Sequence, residues 1–413
     1  MTLTGTGHPA RTTLESRAQD YADKAVYATE CWFARRRRTD RARSAAVFWL
    51  AALVACGCLG YSFAGLRTVI AQSAPRLTVD GECTAFAWAP DGRIVYATRH
   101  VFAKGKFDIQ RDDLWLLGTD GSRQKIFDGQ RYGHGSGEFS YTVTSLRWSP
   151  DGTRLTAQLR TSQLLNSKGG VQEDAVLLLL DQQGKQIRLR NLIAEVDGAV
   201  DGTWLAESGT VAYATAVSRT SSLLSLHVLR ADVARSGDFF VGHAFSSVAW
   251  DAKRNAAIAI ERSGGTGPPR ITTLDLLHED GRALATLDKY LGGLSLSPNG
   301  DKVAYFLDDQ TVEVRDIMHP QQVGQLHVAY GDIGWSSDES RLLIKRGEDR
   351  QDGDLVWVPA PRLADGGDEH ADPEAQPVLH DVMFHSFAVS PDGKLIAVTQ
   401  AGKRTLMVFD SPF

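Results

Sequence analysis

The chain has 413 residues and a formal net charge of −5, with 45 Lys and Arg against 50 Asp and Glu. This near balance argues against the strongly basic surface of a nucleic-acid-binding domain, so no nucleic-acid partner is expected. Of the four cysteines, Cys31, Cys56 and Cys58 precede the long C-terminal region and Cys83 lies within it. That region therefore cannot form an internal disulfide.

Residues 1–43 are polar, lack an apolar core and are predicted to form a cytoplasmic tail. Residues 44–66 contain no charged residue, and about 20 such residues are enough to span a bilayer. Six arginines precede this segment: Arg35, Arg36, Arg37, Arg38, Arg41 and Arg43. The uncharged stretch predicts a single transmembrane helix over 44–66, in the inner (cytoplasmic) membrane. By the positive-inside rule, the arginines predict that its N-terminal side faces the cytoplasm. Everything after the spacer 67–74 is then expected in the periplasm or outside the cell.

A second interpretation of the apolar segment is a lipoprotein signal. Leu53-Val54-Ala55-Cys56 resembles a bacterial lipobox, in which the cysteine is lipidated. The leader would exceed the usual signal peptide of about 15–30 residues, and the apolar stretch continues beyond Cys56. An uncleaved anchor is therefore favoured over a lipoprotein, and a buried soluble helix is the third alternative.

A short phrase recurs seven times after the spacer. Its clearest copies, residues 86–92 and 146–152, read FAWAPDG and LRWSPDG. The anchor positions of the seven copies are Trp88, Trp148, Trp204, Trp250, Leu296, Trp335 and Val389. We number the repeats 1 to 7 in this order. The anchors are 39 to 60 residues apart, a spacing that suits four-stranded propeller blades of about 40–50 residues.

The phrase is typical of a strand followed by a tight turn and a second strand. Glycine after aspartate accepts the positive φ of such a turn, and proline cannot sit within a central strand. The last repeat ends just after its third strand, so residues 75–79 are expected to pair with it and close a ring. The predicted fold is therefore all-β, a seven-bladed β-propeller over 75–413 with one N-terminal transmembrane helix.

The Trp-Ser-Pro-Asp-Gly phrase resembles the repeat of TolB-type and WD-like β-propellers, and the resemblance covers residues 76–413. It implies a propeller fold and a binding role in envelope protein assemblies. The N-terminal α/β domain typical of TolB has no counterpart here, so the family's partner contacts cannot be assigned to residues of this chain.

The sequence contains no Gly-x-Ser-x-Gly, Walker or His-Glu-x-x-His motif, so no catalytic residue, metal site or cofactor is predicted. The acidic segment 348–354 is interpreted as a solvated turn, because its spacing does not fit a calcium loop. The acidic segment 365–374 is interpreted as a disordered loop of the sixth repeat.

Long loops are predicted on one face of the ring, at 99–112, 161–174, 262–270 and 346–354, beside the connection 129–141. Long loops on a rigid scaffold often carry binding, and aromatic and arginine side chains are enriched in interface cores. The candidate binding residues are Phe102, Lys104, Phe107, Arg111, Arg131, Tyr132, His134, Phe139 and Tyr141. Tolerated loop variation explains the same pattern equally well.

These patterns favour a membrane-anchored, extracytoplasmic scaffold that binds protein partners in the cell envelope. One alternative is an enzyme, a hydrolase or lyase, with its site in the central channel. Another is a transmembrane sensor that signals through the tail.

Overall fold

The structure, a computed structural model, is described over fifteen stretches of the compact unit Ala71–Phe413. They are 74–104, 107–132, 139–164, 171–187, 195–207, 209–218, 221–230, 237–240, 243–262, 267–346, 354–365, 370–371, 375–379, 384–400 and 404–412. The predicted tail 1–43, transmembrane helix 44–66 and lipobox at Cys56 lie outside these residues. No helix in the part of the chain that the structure describes has the length and apolar character needed to cross a membrane.

The described residues form an all-β structure, which confirms the predicted fold class. Strand β1 is Leu77–Val79, and repeat 1 contains β2 (Cys83–Trp88), β3 (Ile94–Lys104), β4 (Phe107–Leu117) and β5 (Arg123–Phe127). Repeat 2 contains β6 (Phe139–Trp148), β7 (Arg154–Leu164), β8 (Val171–Asp181) and β9 (Glu195–Asp197). Repeat 3 contains β10 (Ala199–Trp204), β11 (Thr210–Ala216), β12 (Leu224–Arg230) and β13 (Gly237–Phe239).

The remaining four repeats follow the same order. Repeat 4 contains β14 (Phe245–Asp251), β15 (Ala256–Arg262), β16 (Pro269–Asp275) and β17 (Asp280–Thr286). Repeat 5 contains β18 (Gly292–Leu296), β19 (Lys302–Phe306), β20 (Thr311–Asp316) and β21 (Gln322–His327). Repeat 6 contains β22 (Ile333–Trp335), β23 (Arg341–Arg346), β24 (Asp354–Pro359), β25 (Ala364–Asp365), β26 (His370–Ala371) and β27 (Gln376–Leu379). Repeat 7 contains β28 (Phe384–Val389), β29 (Leu395–Gln400) and β30 (Leu406–Asp410).

Within a repeat, each strand pairs antiparallel with the next strand along the chain, except that β25 and β26 of repeat 6 pair with β21 of repeat 5. Repeats 1, 2 and 6 give the four-stranded sheets β2-β3-β4-β5, β6-β7-β8-β9 and β22-β23-β24-β27. Repeats 3 and 4 share one eight-stranded sheet, but they meet at the single pair Leu224–Phe245 between β12 and β14. In the last sheet, β1-β30-β29-β28, the outer strand comes from the other end of the region: Leu77 pairs with Val408 and Val79 with Leu406.

The sequence suggested that segment 365–374 is a disordered loop, but part of it forms short strands. Ala364–Asp365 and His370–Ala371 are short strands that pair with β21 of repeat 5, antiparallel and parallel respectively. The described residues of this acidic segment pair through their backbone with the outer strand of repeat 5, which composition alone cannot reveal.

The core lies between consecutive repeats. Among the described residues, the buried apolar side chains form seven clusters, and each cluster combines side chains from two neighbouring repeats. The cluster between repeats 7 and 1 contains Val79, Leu406 and Val408 from one side and Ile94 and Tyr96 from the other. The hydrophobic effect therefore binds each sheet to its neighbours face to face.

Three of the repeated tryptophans, Trp88, Trp204 and Trp250, donate a hydrogen bond to the preceding repeat. The Trp88 indole N–H donates to the Ala388 carbonyl at 3.2 Å, and Trp204 donates to the Leu155 carbonyl, also at 3.2 Å. The Arg154 guanidinium lies 4.7 Å from the centroid of the Trp204 ring. Trp88 and Trp204 thus provide apolar area together with a directed hydrogen bond.

Two turns that have lost the repeat phrase use side chains in its place. Glu339 stands where the phrase has glycine, adopts φ of 59° and is buried. Its carboxylate accepts from the Asn299 backbone N–H at 2.7 Å and pairs with Lys302 at 3.2 Å. Asn255, with φ of 53°, accepts from the Glu207 N–H at 2.8 Å. Both side chains bond a turn of the preceding repeat, which offsets the strain of the left-handed backbone.

Candidate functional site

Five strands of repeats 1 and 2 are longer than any described strand of the other repeats. β3, β4, β7 and β8 have 11 residues each and β6 has 10, whereas the described strands of repeats 3 to 7 have at most 7. Pairing of β3 with β4 continues to Lys104–Phe107, and pairing of β7 with β8 continues to Leu164–Val171. We call the strand ends 99–104, 107–112, 139–143, 160–164 and 171–174 the extended face.

This architecture corrects one prediction. The segments 99–112 and 161–174 were expected to be loops, but most of their residues lie in β3, β4, β7 and β8. Polar residues in these segments suggested loops. They fit a strand that projects beyond the core, because its side chains can face solvent on both sides. The projections are therefore hydrogen-bonded hairpins.

The two hairpins touch each other. The Gln110 backbone N–H in β4 donates to the Ser140 hydroxyl in β6 at 3.0 Å. The Tyr141 hydroxyl donates to the Asp112 carbonyl at 3.2 Å. These bonds satisfy polar groups along an edge of β4 that has no strand partner there, so the hairpins of repeats 1 and 2 form one continuous surface.

Six of the nine candidate residues lie in the strand ends of the extended face: Arg111 and Tyr141, and four that are defined only as strand positions, Phe102, Lys104, Phe107 and Phe139. Phe102 pairs with Ile109, Lys104 with Phe107, and Phe139 with Gln163. Their side chains are outside what the structure describes. His134 lies outside the described residues altogether.

The two candidate arginines differ in their availability. The Arg111 guanidinium donates to the carbonyls of Gln130 at 3.0 Å and Tyr132 at 3.4 Å, so it holds β4 against the segment that follows β5. The Arg131 side chain is 88% exposed and pairs with Asp128 at 3.1 Å. Exposed pairs of this kind contribute little stability, so Arg131 can exchange its partner readily.

The two candidate tyrosines are core residues beneath the extended face. Tyr132 is 7% exposed and Tyr141 is 1% exposed, and their rings pack edge to face with centroids 5.4 Å apart. Burial raises the pKa of both phenols well above the usual value for tyrosine. They therefore support the face from below and present no surface to a partner.

A buried polar cluster lies where the extended face joins the ring. Asp112 is fully buried, and its Oδ2 accepts from the Thr84 hydroxyl and from the Val143 N–H, both at 2.7 Å. Asp112 Oδ1 has no hydrogen-bond partner among the described residues and lies 3.8 Å from Arg99 Nε. Burial raises the pKa of Asp112.

Arg99 extends this cluster toward repeat 7. It donates to Glu82 at 2.7 Å and to the Thr142 hydroxyl at 3.3 Å, and Glu82 also pairs with Arg404 at 3.0 Å. Residues of repeats 7, 1 and 2 are thereby connected through charged groups. No sequence motif indicated a functional role for Asp112. The signal was available, however, since Asp112 and Asp113 are two adjacent acids at the start of an apolar strand.

A carboxylate in β10, Asp201, is also engaged in structural contacts. Asp201 accepts from Arg147 at 3.1 and 3.2 Å and from the Trp250 indole at 2.8 Å, which connects repeats 2, 3 and 4. Within the described ranges, no group of three or more His, Cys, Asp or Glu residues is placed to hold a metal ion.

Glu261 is a second buried carboxylate with several partners. It accepts from His243 at 2.7 Å and from the Thr272 hydroxyl at 3.2 Å, and it pairs with Arg270 at 3.1 Å. Burial alone would raise the pKa of Glu261, but the His243 hydrogen bond and the Arg270 charge hold it below its ordinary value. The carboxylate is thus kept ionised as an anchor for its neighbours.

Comparisons with known proteins identify the fold. No family model matches the chain, and no curated protein matches it by sequence. A chain in the crystal structure of a mitotic checkpoint complex is similar, with a TM-score of 0.53 and 13% identity over 82% of this chain and 95% of that one. The Cps50 (Swd1) β-propeller domain of Myceliophteria thermophila is similar at 0.54 and 12% identity, over 82% and 99%. The chain therefore has a WD-like β-propeller fold, and identities this low establish the fold alone.

Proposed function

We propose that residues 75–413 form a seven-bladed propeller in which each repeat is one blade. The support is that seven hydrophobic clusters couple each repeat to the next, including repeat 7 to repeat 1. The eight-stranded sheet counts as two blades, because only one residue pair joins its halves. β1 acts as the outer strand of the last blade and closes the ring.

We infer that this propeller binds other proteins as a scaffold module and that the extended face is its binding surface. The observation that carries the inference is the pair of hairpins that projects from blades 1 and 2 and is held in place by the Asp112 cluster. A rigid projection presents side chains to a partner with little loss of conformational entropy. The face offers Val101, which is 50% exposed, and the exposed ion pair of Arg160 with Glu173 at 2.7 Å.

The same face carries the aromatic candidates Phe102, Phe107 and Phe139 and the cation Lys104 as strand positions. Aromatic residues and arginine are enriched in interface cores, whereas exposed charges form the rim. Arg131 supplies an exposed arginine beside these strands. The solved complex that contains a similar propeller is a precedent for the use of this fold within a protein assembly.

The assembly is proposed to lie in the cell envelope. Residues 44–66 act as an uncleaved transmembrane anchor, the arginine-rich tail stays in the cytoplasm, and the propeller lies on the far side of the membrane. Lipidation at Cys56 is the less favoured route to the same tethering. TolB-type propellers, which the repeat phrase resembles, suggest the periplasm as the compartment. The proposed role is binding rather than catalysis.

Site-specific photocrosslinking in intact cells tests the binding surface. A photoreactive residue at Val101, on the extended face, is expected to give a discrete crosslinked partner. The matched control is Met318, which is 66% exposed and lies after β20, away from that face. The same substitution there should give no such product. Equal crosslinking at both positions, or none at Val101, would contradict the proposed surface.

A charge reversal completes the test. Arg131→Glu should reduce the crosslink from Val101, because it replaces an exposed cation beside the face with an anion. The overall fold should be unaffected, since Arg131 makes only an exposed ion pair. An unchanged crosslink would show that the partner does not contact this side of the face.

A further inference from the structure

A cavity of about 280 Å³ lies where repeat 7 meets repeat 1, at the end of the sheets that carries the tight turns. The apolar side chains that line it come from both repeats: Leu77, Trp88, Ile94, Leu117, Leu395 and Val408. A dry protein cavity of ~150 Å³ is large enough for benzene, so this one has room for a two-ring aromatic group. Its volume lies just below the range of about 300–1,000 Å³ that is typical of ligand sites.

The aromatic wall is held in a fixed position. The Trp88 indole N–H donates to the Ala388 carbonyl at 3.2 Å, which prevents the ring from turning into the cavity. A flat aromatic ligand can therefore stack on a ring that is already oriented for it.

The rim of the cavity carries one charge of each sign, and one of the two has no ion-pair partner among the described residues. Two charged residues line the cavity, Arg76 and Asp120. Arg76 pairs with Asp410 at 3.2 Å, whereas Asp120 has no ion-pair partner among the described residues. The hydrogen bonds from Ser122 hold the pKa of Asp120 below its ordinary value, so the carboxylate remains ionised. The rim thus offers an uncompensated anion.

We propose that this cavity binds a small arylalkylamine, with the aromatic group against Trp88 and the ammonium group at Asp120. An aromatic group matches the apolar side chains that line the cavity, and a cation matches the Asp120 carboxylate at its rim. This site is separate from the extended face and does not depend on the proposed protein-binding role.

Tryptamine is the probe, titrated into the full-length chain in detergent with binding to detergent alone subtracted. Tryptophol and indole-3-acetate carry the same indole on a two-carbon chain with a neutral or anionic end. We expect saturable binding of tryptamine, about fivefold tighter than indole-3-acetate at low salt, because exposed charge pairs contribute ~0.2–1 kcal/mol each. Methyl NMR shifts should be confined to Leu77, Ile94, Leu395 and their neighbours.

The variant Asp120→Asn keeps an oxygen for the Ser122 N–H and should abolish the preference for the amine. The matched control, Asp338→Asn, changes a turn aspartate that does not line the cavity and should leave affinity unchanged. Failure of tryptamine to saturate by ~10 mM, or methyl shifts elsewhere, would overturn the site. Equal affinity for tryptamine and tryptophol, or a preference that survives in Asp120→Asn, would overturn the ligand class.

Discussion

The pairing of β1 with β30 makes Val79 a sensitive position. Val79 is 1% exposed, pairs with Leu406 and belongs to the cluster between repeats 7 and 1. Val79→Ala removes two methyl groups, which contribute about 1.6 kcal/mol at ~0.8 kcal/mol per buried carbon. The cavity that remains adds a further penalty, so the free energy of unfolding should fall by about 2–3 kcal/mol.

Equilibrium urea unfolding of the full-length chain, followed by Trp fluorescence, measures this loss, since seven of the nine Trp lie within 75–413. Thr78→Ala is the matched control: Thr78 lies on the same strand but is exposed, so the change should stay within about 0.5 kcal/mol. A double-mutant cycle of Val79→Ala with Leu406→Ala should give a coupling of at least about 0.5 kcal/mol.

The whole strand should matter more than its one buried side chain. Removing 75–80 eliminates the Leu77 and Val79 contacts and the ladder hydrogen bonds to β30, an expected loss of about 4–8 kcal/mol. A deletion of equal length in an exposed turn should cost far less. If Val79→Ala and Thr78→Ala unfold at the same urea concentration, β1 does not hold the ring closed.

Three further predictions follow from local contacts and from the sequence. Arg154→Ala should lower the free energy of unfolding by about 0.5–1 kcal/mol, measured by urea unfolding, because it removes the cation 4.7 Å from the Trp204 ring. Hydrogen bonds from nearby serines lower the pKa of Asp338 from 3.8 to about 2. The stabilising effect of its carboxylate is therefore present above pH 3.8 and is lost as the pH falls toward 2. The difference in stability between wild type and Asp338→Asn, measured by acid unfolding, should vanish across that pH range. Removing 44–66 should release the chain from sedimented membranes, whereas removing 1–34 should not, and retention without 44–66 would exclude it as the anchor.

The repeat phrase predicted local structure well because it encodes a hairpin directly. β2 and β6 end at the anchors Trp88 and Trp148, and the turns that follow place Gly92 and Gly152 at φ of 85° and 69°. Aspartate, glycine and proline constrain a turn without help from distant residues, so these assignments depend on short-range physics alone.

The lengths of the strands in repeats 1 and 2 were not predictable in the same way. These strands project beyond the core and are buried only in part, so their alternation of apolar and polar residues is weak. Whether 99–112 forms a loop or a hairpin is decided by cross-strand pairing and by the bonds from Ser140 and Tyr141, both of which lie in the next repeat. Such non-local contacts leave no periodic signal.

The same limitation applies to the buried tyrosines of the candidate site. Tyr132 and Tyr141 lie near aromatic and basic residues in the sequence, which suggested an exposed binding patch. Both instead belong to the buried cluster between repeats 1 and 2, so two of the nine candidates support the face from within. Sequence could identify the region of the face but could not separate its surface from its core.

The two ends of the sheets differ in a way that explains where binding is proposed. At the turn end, neighbouring repeats bond each other directly: the Ala206 N–H donates to the Ala252 carbonyl at 2.8 Å, and Arg254 pairs with Asp301 at 2.9 Å. These contacts hold neighbouring turns together, whereas a cavity lies at the junction of repeats 7 and 1. There the outer strand β1 has three residues, so apolar side chains such as Leu77 remain only partly covered and border the cavity. At the opposite end, the hairpins of repeats 1 and 2 project beyond the ring. The cavity therefore lies beside β1, a short strand from a distant segment that pairs with repeat 7. The extended face instead results from the longer strands of two neighbouring repeats.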